Sequence, residues 1–480
     1  MKRIVFALAS IIALSAISCS STPTQTATDT TDSHTDISSE LITENSIPLP
    51  EIDFQESNIQ FYIASDRTKM ICEKETGDTI EDAVYRRNRK IEERFNCKFA
   101  YNANPCNSET WGEWYSTLES SIMAGDNSVD IAGGYAYRFS ALTLTSGLFQ
   151  NLLDLPQMNM SQPWWPGNIT EAACVGSKLF MAQGNIDPAF YDRIYALVFN
   201  KEMAKSLQLD FYGLVNNGDW TFDKLQEVAA LAVHDIDGNS SYDDKDQWGF
   251  VTGNNMSIDA FNFAFDIDFV EYDKDGIPSL LPLSEKLSDA CIQMKNFTQT
   301  SGTVWYCLED EKQIIFNEDR ALLMTNNIMD IQTMRSLETD FGIIPYPKWD
   351  EQQDEYLSFS AGVDTAVSYA IPITADGEKN SIILEALAYY GYNDILPEYY
   401  EIALKGKSIR DDESEQMLDL IFNNISFDFC QLYSYAFGDQ KAPTMLMRMT
   451  IKLDKEITSM YNSDKKLYEK TIAMLIDSLE

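Results

Sequence analysis

Strand-like and helical segments alternate from residue 57 onward, and the alternation is met again beyond residue 195. The chain has 480 residues, more than one compact core requires. Together these observations predict an α/β fold in two lobes, built from parallel βαβ units and ending in a helical C-terminus. Hydrophobic residues make up 44% and charged residues 23%, an ordinary globular balance that excludes a wholly disordered chain.

The first segment reads as a leader. Lys2 and Arg3 form a positive start, and the apolar run Ile4 to Ile17 is too short to span a bilayer as a helix. It ends in Ala16-Ile17-Ser18-Cys19, small residues before a cysteine, which resembles a bacterial lipobox with Cys19 as the lipidated residue and residues 1–19 as signal. Residues 20–56 are predicted to be a disordered tether, because Ser20 to Pro50 is rich in Ser and Thr and carries no aromatic. About 30 such residues reach roughly 30 Å, enough to hold a folded body clear of a membrane surface.

Within the body, Ile59 to Ala64 reads as a strand. Asp78 or Thr79 then caps a helix carrying Ile80, Val84, Ile91 and Phe95, and Lys98 to Tyr101 is a second strand. Ser108 opens a helix with Trp111, Tyr115, Leu118 and Ile122 on one stripe and Gly125 past its end. On that stripe Trp111 is read as packing. Val129 to Ala132 is a third strand. Further strands are expected at 195–199, 321–324 and 341–344, with helices at 221–232, 381–390 and 412–422. Leu467, Ile472, Leu475 and Leu479 mark the inner face of a last helix.

Charge narrows the chemistry. Asp and Glu number 75 against 36 Lys and Arg, for a net charge of −39, so a nucleic-acid partner is not expected. With only His34 and His234, a His-rich zinc site or a pair of catalytic triads is not expected. No G-x-S-x-G, P-loop or HExxH motif is present. Seven cysteines follow Cys19 without a CxxC pair, an odd number that leaves at least one thiol free and room for one or two disulfides.

Several segments carry a family pattern. Asp130-Ile-Ala-Gly-Gly-Tyr-Ala-Tyr137, with Leu148 and Leu152-Leu-Asp-Leu155 after it, resembles the first-lobe segment of the family 1 extracellular solute-binding proteins. Tyr195-Ala-Leu-Val-Phe-Asn-Lys201, Gly218-Asp-Trp-Thr-Phe-Asp-Lys-Leu225, Phe316 to Met324, Phe341-Gly-Ile-Ile-Pro-Tyr-Pro-Lys348 and Leu404 to Ser414 are similar to further segments of that family. The resemblance runs in order over residues 57–480. It implies a two-lobed type II periplasmic-binding-protein-like fold with hinge crossovers, lobe 1 holding 57–189 plus 357–405 and lobe 2 holding 190–356 plus 406–480. It also implies a monomeric lipoprotein receptor, displayed outside the cell or on the periplasmic side, that delivers a carbohydrate, an oligosaccharide by expectation, to the permease of an ABC importer by closing its cleft. Neither catalysis nor an organic cofactor is expected. The alternatives are a displayed sensor lipoprotein for a non-sugar solute and a secreted glycosidase using two carboxylates across a cleft.

A neutral sugar needs aromatic rings for its C–H faces and polar groups for its hydroxyls. Tyr135, Tyr137 and Arg138 follow the strand ending near Ala132, where open α/β sheets bind ligands. Trp164 and Trp165 sit in a proline-flanked loop, as stacking residues or as loop anchors. The resemblance adds Asp192 and Arg193 at the first crossover, which could equally be an ion pair with each other, Asn326 and Asn327 at a strand end, and Asp364 on the return. Family members often carry a tryptophan shortly after the Asn326 position, for which Trp305 is the candidate substitute. The segment Asp235-Ile-Asp237-Gly-Asn239-Ser-Ser241-Tyr-Asp243-Asp244 offers oxygens at the spacing of a calcium loop, with Asp244 or Asp246 completing the shell. A structural Ca2+ is expected there.

Overall fold

The computed structural model describes residues 48–300, 302–307, 309–334, 337–405, 411–438 and 440–479. Cys19, the signal and most of the tether lie outside the described residues. Residues 51–480 form one compact unit. It takes in the end of the expected tether, since the N–H groups of Phe54 and Glu56 donate to the carbonyls of Phe95 and Asn96.

Two sheets organise this unit. The first contains β1 (Ser57–Ala64), β2 (Cys97–Asn104) and β3 (Ile131–Tyr135), with β1 parallel to both neighbours. The second is built from β4 (Tyr195–Asn200), β5 (Trp248–Gly253), β8 (Val304–Cys307), β9 (Ala321–Asn327) and β10 (Phe341–Ile344). Its order is β10-β4-β9-β5-β8, with β5 parallel to β8 and β9 and with β4 antiparallel to β9 and β10. In the chain between β5 and β8, β6 (Val270–Tyr272) and β7 (Pro278–Leu280) pair antiparallel. After β10 the chain runs through β11 (Ser358–Phe359) to β12 (Val367–Ala370), which lies antiparallel to β3 and closes the first sheet in the order β12-β3-β1-β2. A short β13 (Ile425–Ser426) pairs with β11.

Local chemistry sets the elements. Asp78 Oδ1 accepts the N–H groups of Ile80 and Glu81 and starts the helix Thr79–Phe95, and Asn96 ends it at φ 48°. Trp248–Gly253 contains two glycines and was not evident as a strand. A Cβ on Gly249 would fall 1.9 Å from the Ala229 carbonyl oxygen, so the helix Phe222–Leu231 lies directly on the backbone of β5.

The chain crosses between the sheets at residues 185–194 and returns at 358–366. These segments pair antiparallel at Ile194 and Ser360, and Ala361 N–H donates to the Arg193 carbonyl at 3.0 Å. Arg87, fully buried, ties the Thr79–Phe95 helix to the first crossover through the Ile186 carbonyl. Near the C-terminus the helices Leu446–Leu453 and Ile457–Asp477 pack on Glu285–Thr298. Among the described residues no disulfide joins the seven cysteines from Cys72 to Cys430, so the one or two bonds the sequence leaves room for do not form here.

Candidate functional site

The end of β3 builds an aromatic group. Tyr135 is its last residue, and Tyr137 and Arg138 fall in the first turn of the helix Ala136–Thr145. The Trp111 ring lies 6.4 Å from Tyr135 and 6.3 Å from Tyr137, near parallel to both, and 6.3 Å from Tyr435, edge-on. Tyr435 comes from the turn Ser434–Phe437 and meets Tyr137 at 5.3 Å. All four rings are half-buried. Arg67 stands over Tyr135, 4.3 Å from its centroid, and Arg138 lies between the rings of Tyr115 and Tyr435. Sequence reasoning missed two members. Trp111 fits its helix stripe as well as it fits this cluster, and Tyr435 is 298 residues further along the chain than Tyr137.

Next to Arg67 a cavity of about 150 Å³ lies where the crossovers meet, lined by Asp66, Arg67, Lys69, Asp192, Arg193 and Met329 among others. Asp66, Arg67 and Lys69 directly follow β1, a strand-end position like that of Tyr135, and that signal could have found them. Asp192 is 3% exposed and pairs with Lys69 at 2.6 Å, so the expected Asp192–Arg193 pair gives way to one between β1's loop and the crossover. Asp192 also accepts the Tyr399 hydroxyl at 2.8 Å, and burial, then this carboxylate, push the Tyr399 phenol well above its ordinary range. Asp187, buried beside it, accepts the Lys69 N–H at 3.1 Å and the Tyr369 hydroxyl at 3.1 Å.

Other expected residues are engaged elsewhere. Trp164 and Trp165 are 5% and 2% exposed, and their indole N–H groups donate at 2.8 Å to the two carboxylate oxygens of Glu385. They anchor their loop to the helix Gly377–Tyr390 and leave no face for a ligand. Trp305 packs on Trp248 at 4.9 Å, and Trp248 donates to the Asp243 carbonyl, so Trp305 belongs to the surroundings of the acidic loop rather than the cavity. Buried Asn326 donates to the Met334 sulfur at 3.2 Å. Asn327 caps the following helix and bonds Asp330, and neither asparagine lines the cavity, which Met329 reaches instead. Thr365 and Ala366 line it too, whereas the side chain of Asp364 lies outside the described residues.

In the acidic loop, carboxylate oxygens of Asp235, Asp237 and Asp246 lie within 4.8 Å of one another. Asp246 is fully buried, so it and not exposed Asp244 closes the group. The Asp243 carboxylate is not in that group and accepts the Lys245 N–H at 2.9 Å, while its own N–H donates to Asp246 at 2.9 Å. Asn239 bonds Asp237 through its amide N–H and accepts the Ser241 N–H. Backbone N–H groups, Ser240's first, hold the Asp235 carboxyl below the usual carboxylate range, a charged state that suits a hard cation.

No protein-family model and no curated protein matches the sequence. Solved structures do. A cyclo/maltodextrin-binding protein complexed with maltotetraose aligns with TM-score 0.58 and 13% identity over 86% of this chain and 97% of that one. Apo RafE from Streptococcus pneumoniae gives 0.54 and 13% over 87% and 98%, and MalE from Bdellovibrio bacteriovorus bound to maltotriose gives 0.53 and 14% over 87% and 100%. Likeness at this identity is one of fold, and it covers 86–87% of this chain. This protein has the two-lobed α/β fold of the periplasmic-type solute-binding proteins.

Proposed function

We propose that this protein is a saccharide receptor that takes its ligand at the junction of its two sheets and passes it to an ABC importer by closing. The observation that carries this reading is the half-buried group Trp111, Tyr135, Tyr137 and Tyr435 beside a polar cavity between the crossovers. Stacked rings accept the C–H face of a sugar, and the neighbouring charged groups bond its hydroxyls. A ligand touching both lobes favours the closed state by its differential affinity, and no bond need be made or broken. Solved structures of this fold carrying maltotriose and maltotetraose support a saccharide. Lipidation at Cys19 anchors the body outside the membrane, and the acidic loop holds a structural Ca2+.

Calorimetry and thermal melting across neutral oligosaccharides, acidic oligosaccharides and peptides test the reading. At least one saccharide raises the melting temperature, and Trp111→Ala weakens its binding by about 2- to 12-fold, the worth of one stacking ring. Stabilisation by peptides and by no saccharide ends the proposal. Replacing Cys19 by Ala releases the protein from the membrane fraction if that residue is the anchor.

A further inference from the structure

A neutral saccharide would bond Arg193 through its hydroxyls but leave the charge of this side chain unmatched. Arg193 lies in the first crossover, is half-buried, and lines the cavity. Its backbone carbonyl accepts Ala361 N–H, but among the described residues its guanidinium has no carboxylate or hydrogen-bond partner. The other charges there are committed. Lys69 holds Asp192 at 2.6 Å, and Asp192 also accepts Tyr399. Asp66 accepts the Cys106 N–H at 2.7 Å and lies 3.7 Å from Arg67, which stacks on Tyr135. Elsewhere Arg86, Arg89, Arg94, Arg320 and Arg448 each pair with a carboxylate. Arg87 and Arg138 also lack a carboxylate, but Arg87 is buried on the Ile186 carbonyl and Arg138 lies over the rings of Tyr115 and Tyr435, so of the three only Arg193 lines the cavity.

We propose that the ligand is an acidic saccharide and that Arg193 receives its carboxylate. The inference rests on the saccharide reading above. Three cations and two carboxylates line the cavity, with Asp187 behind Thr68 and Lys69, and Arg193 is the lining cation left without an anionic partner, a single charge for a monoanion. A guanidinium presents two parallel N–H groups, the match for a planar carboxylate, whereas a phosphate dianion overfills that single charge. The volume of about 150 Å³ equals roughly five waters, room for a carboxylate and the edge of its ring. Arg67 borders both this space and Tyr135, so the rest of the ligand continues over the aromatic group.

The test is calorimetric titration with galacturonate, glucuronate and mannuronate trimers, each against its own methyl ester, and with maltotriose. At least one uronate binds about tenfold or more above its ester, the scale of a charge-assisted pair, and the advantage shrinks as salt rises. Arg193→Gln brings the acid-to-ester ratio close to one, and Arg193→Lys retains part of it. Circular dichroism and melting of both variants check the fold. Equal binding of acid and ester, or a preference that survives Arg193→Gln, overturns the carboxylate assignment and leaves the saccharide receptor standing. Binding of no saccharide at all overturns both.

Discussion

The Lys69 ammonium lies 2.6 Å from the Asp192 carboxylate, and this pair joins the loop after β1 to the first crossover. Its two sides are unequal, with the Lys69 side chain 39% exposed and that of Asp192 only 5%. Removing the lysine strands a buried charge on the Tyr399 hydroxyl, whereas removing the acid frees a cation that water can reach.

Lys69→Met is therefore expected to cost more than Asp192→Asn. We expect about 1–3 kcal/mol for the first, reduced from the fully buried case because the lysine is partly solvated, and less than half of that for the second. Urea denaturation of both variants measures the order, and equal costs would show that the crossover does not depend on this charge.

A pH dependence comes from Asp259. It is fully buried beside Arg448, 3.2 Å away, and desolvation outweighs that partner and raises its pKa to about 6. The folded state holds a proton there that the unfolded chain, near 3.8, has lost. Stability from this group is full below about pH 4, falls as pH rises toward 6, and is flat above. Asp428, also raised to about 6 by burial, adds a slope of the same sign. Melting temperatures from pH 4 to 8 should show a shallower decline for Asp259→Asn than for the parent protein, and parallel curves would contradict this assignment.

Calcium is expected to raise the melting temperature and a chelator to lower it. At a hundredfold excess over Kd the gain is about 2.7 kcal/mol. Asp246→Asn should abolish the response, while Asp244→Asn should keep it, since Asp246 and not Asp244 joins Asp235 and Asp237. An unchanged melting temperature in the chelator counts against the metal.

The alternation of strands and helices was readable because it is local. Asp78 and Gly125 mark helix ends by side-chain and backbone chemistry within a few residues. Trp248–Gly253 escaped because its glycines answer to a helix lying on it, a tertiary cause with no periodic trace. The site divides in the same way. The place of Tyr135, Tyr137 and Arg138 just after a strand is legible locally, while Tyr435 and the Lys69–Asp192 pair depend on chain segments that only folding brings together. For Trp164 and Trp165 the sequence leaves stacking and loop anchoring both open, and anchoring holds because Glu385, over 200 residues away, takes both indole N–H groups.

That grip on two indoles also decides what an optical measurement would see. Of the eight tryptophans, Trp164 and Trp165 are out of water and bonded to one carboxylate, and Trp114, Trp220 and Trp248 are buried as well. Five of the eight rings are therefore shielded from solvent, and of the three half-buried ones only Trp111 stands in the aromatic group. A change in intrinsic fluorescence on titration would report chiefly on Trp111, a single signal against a constant background.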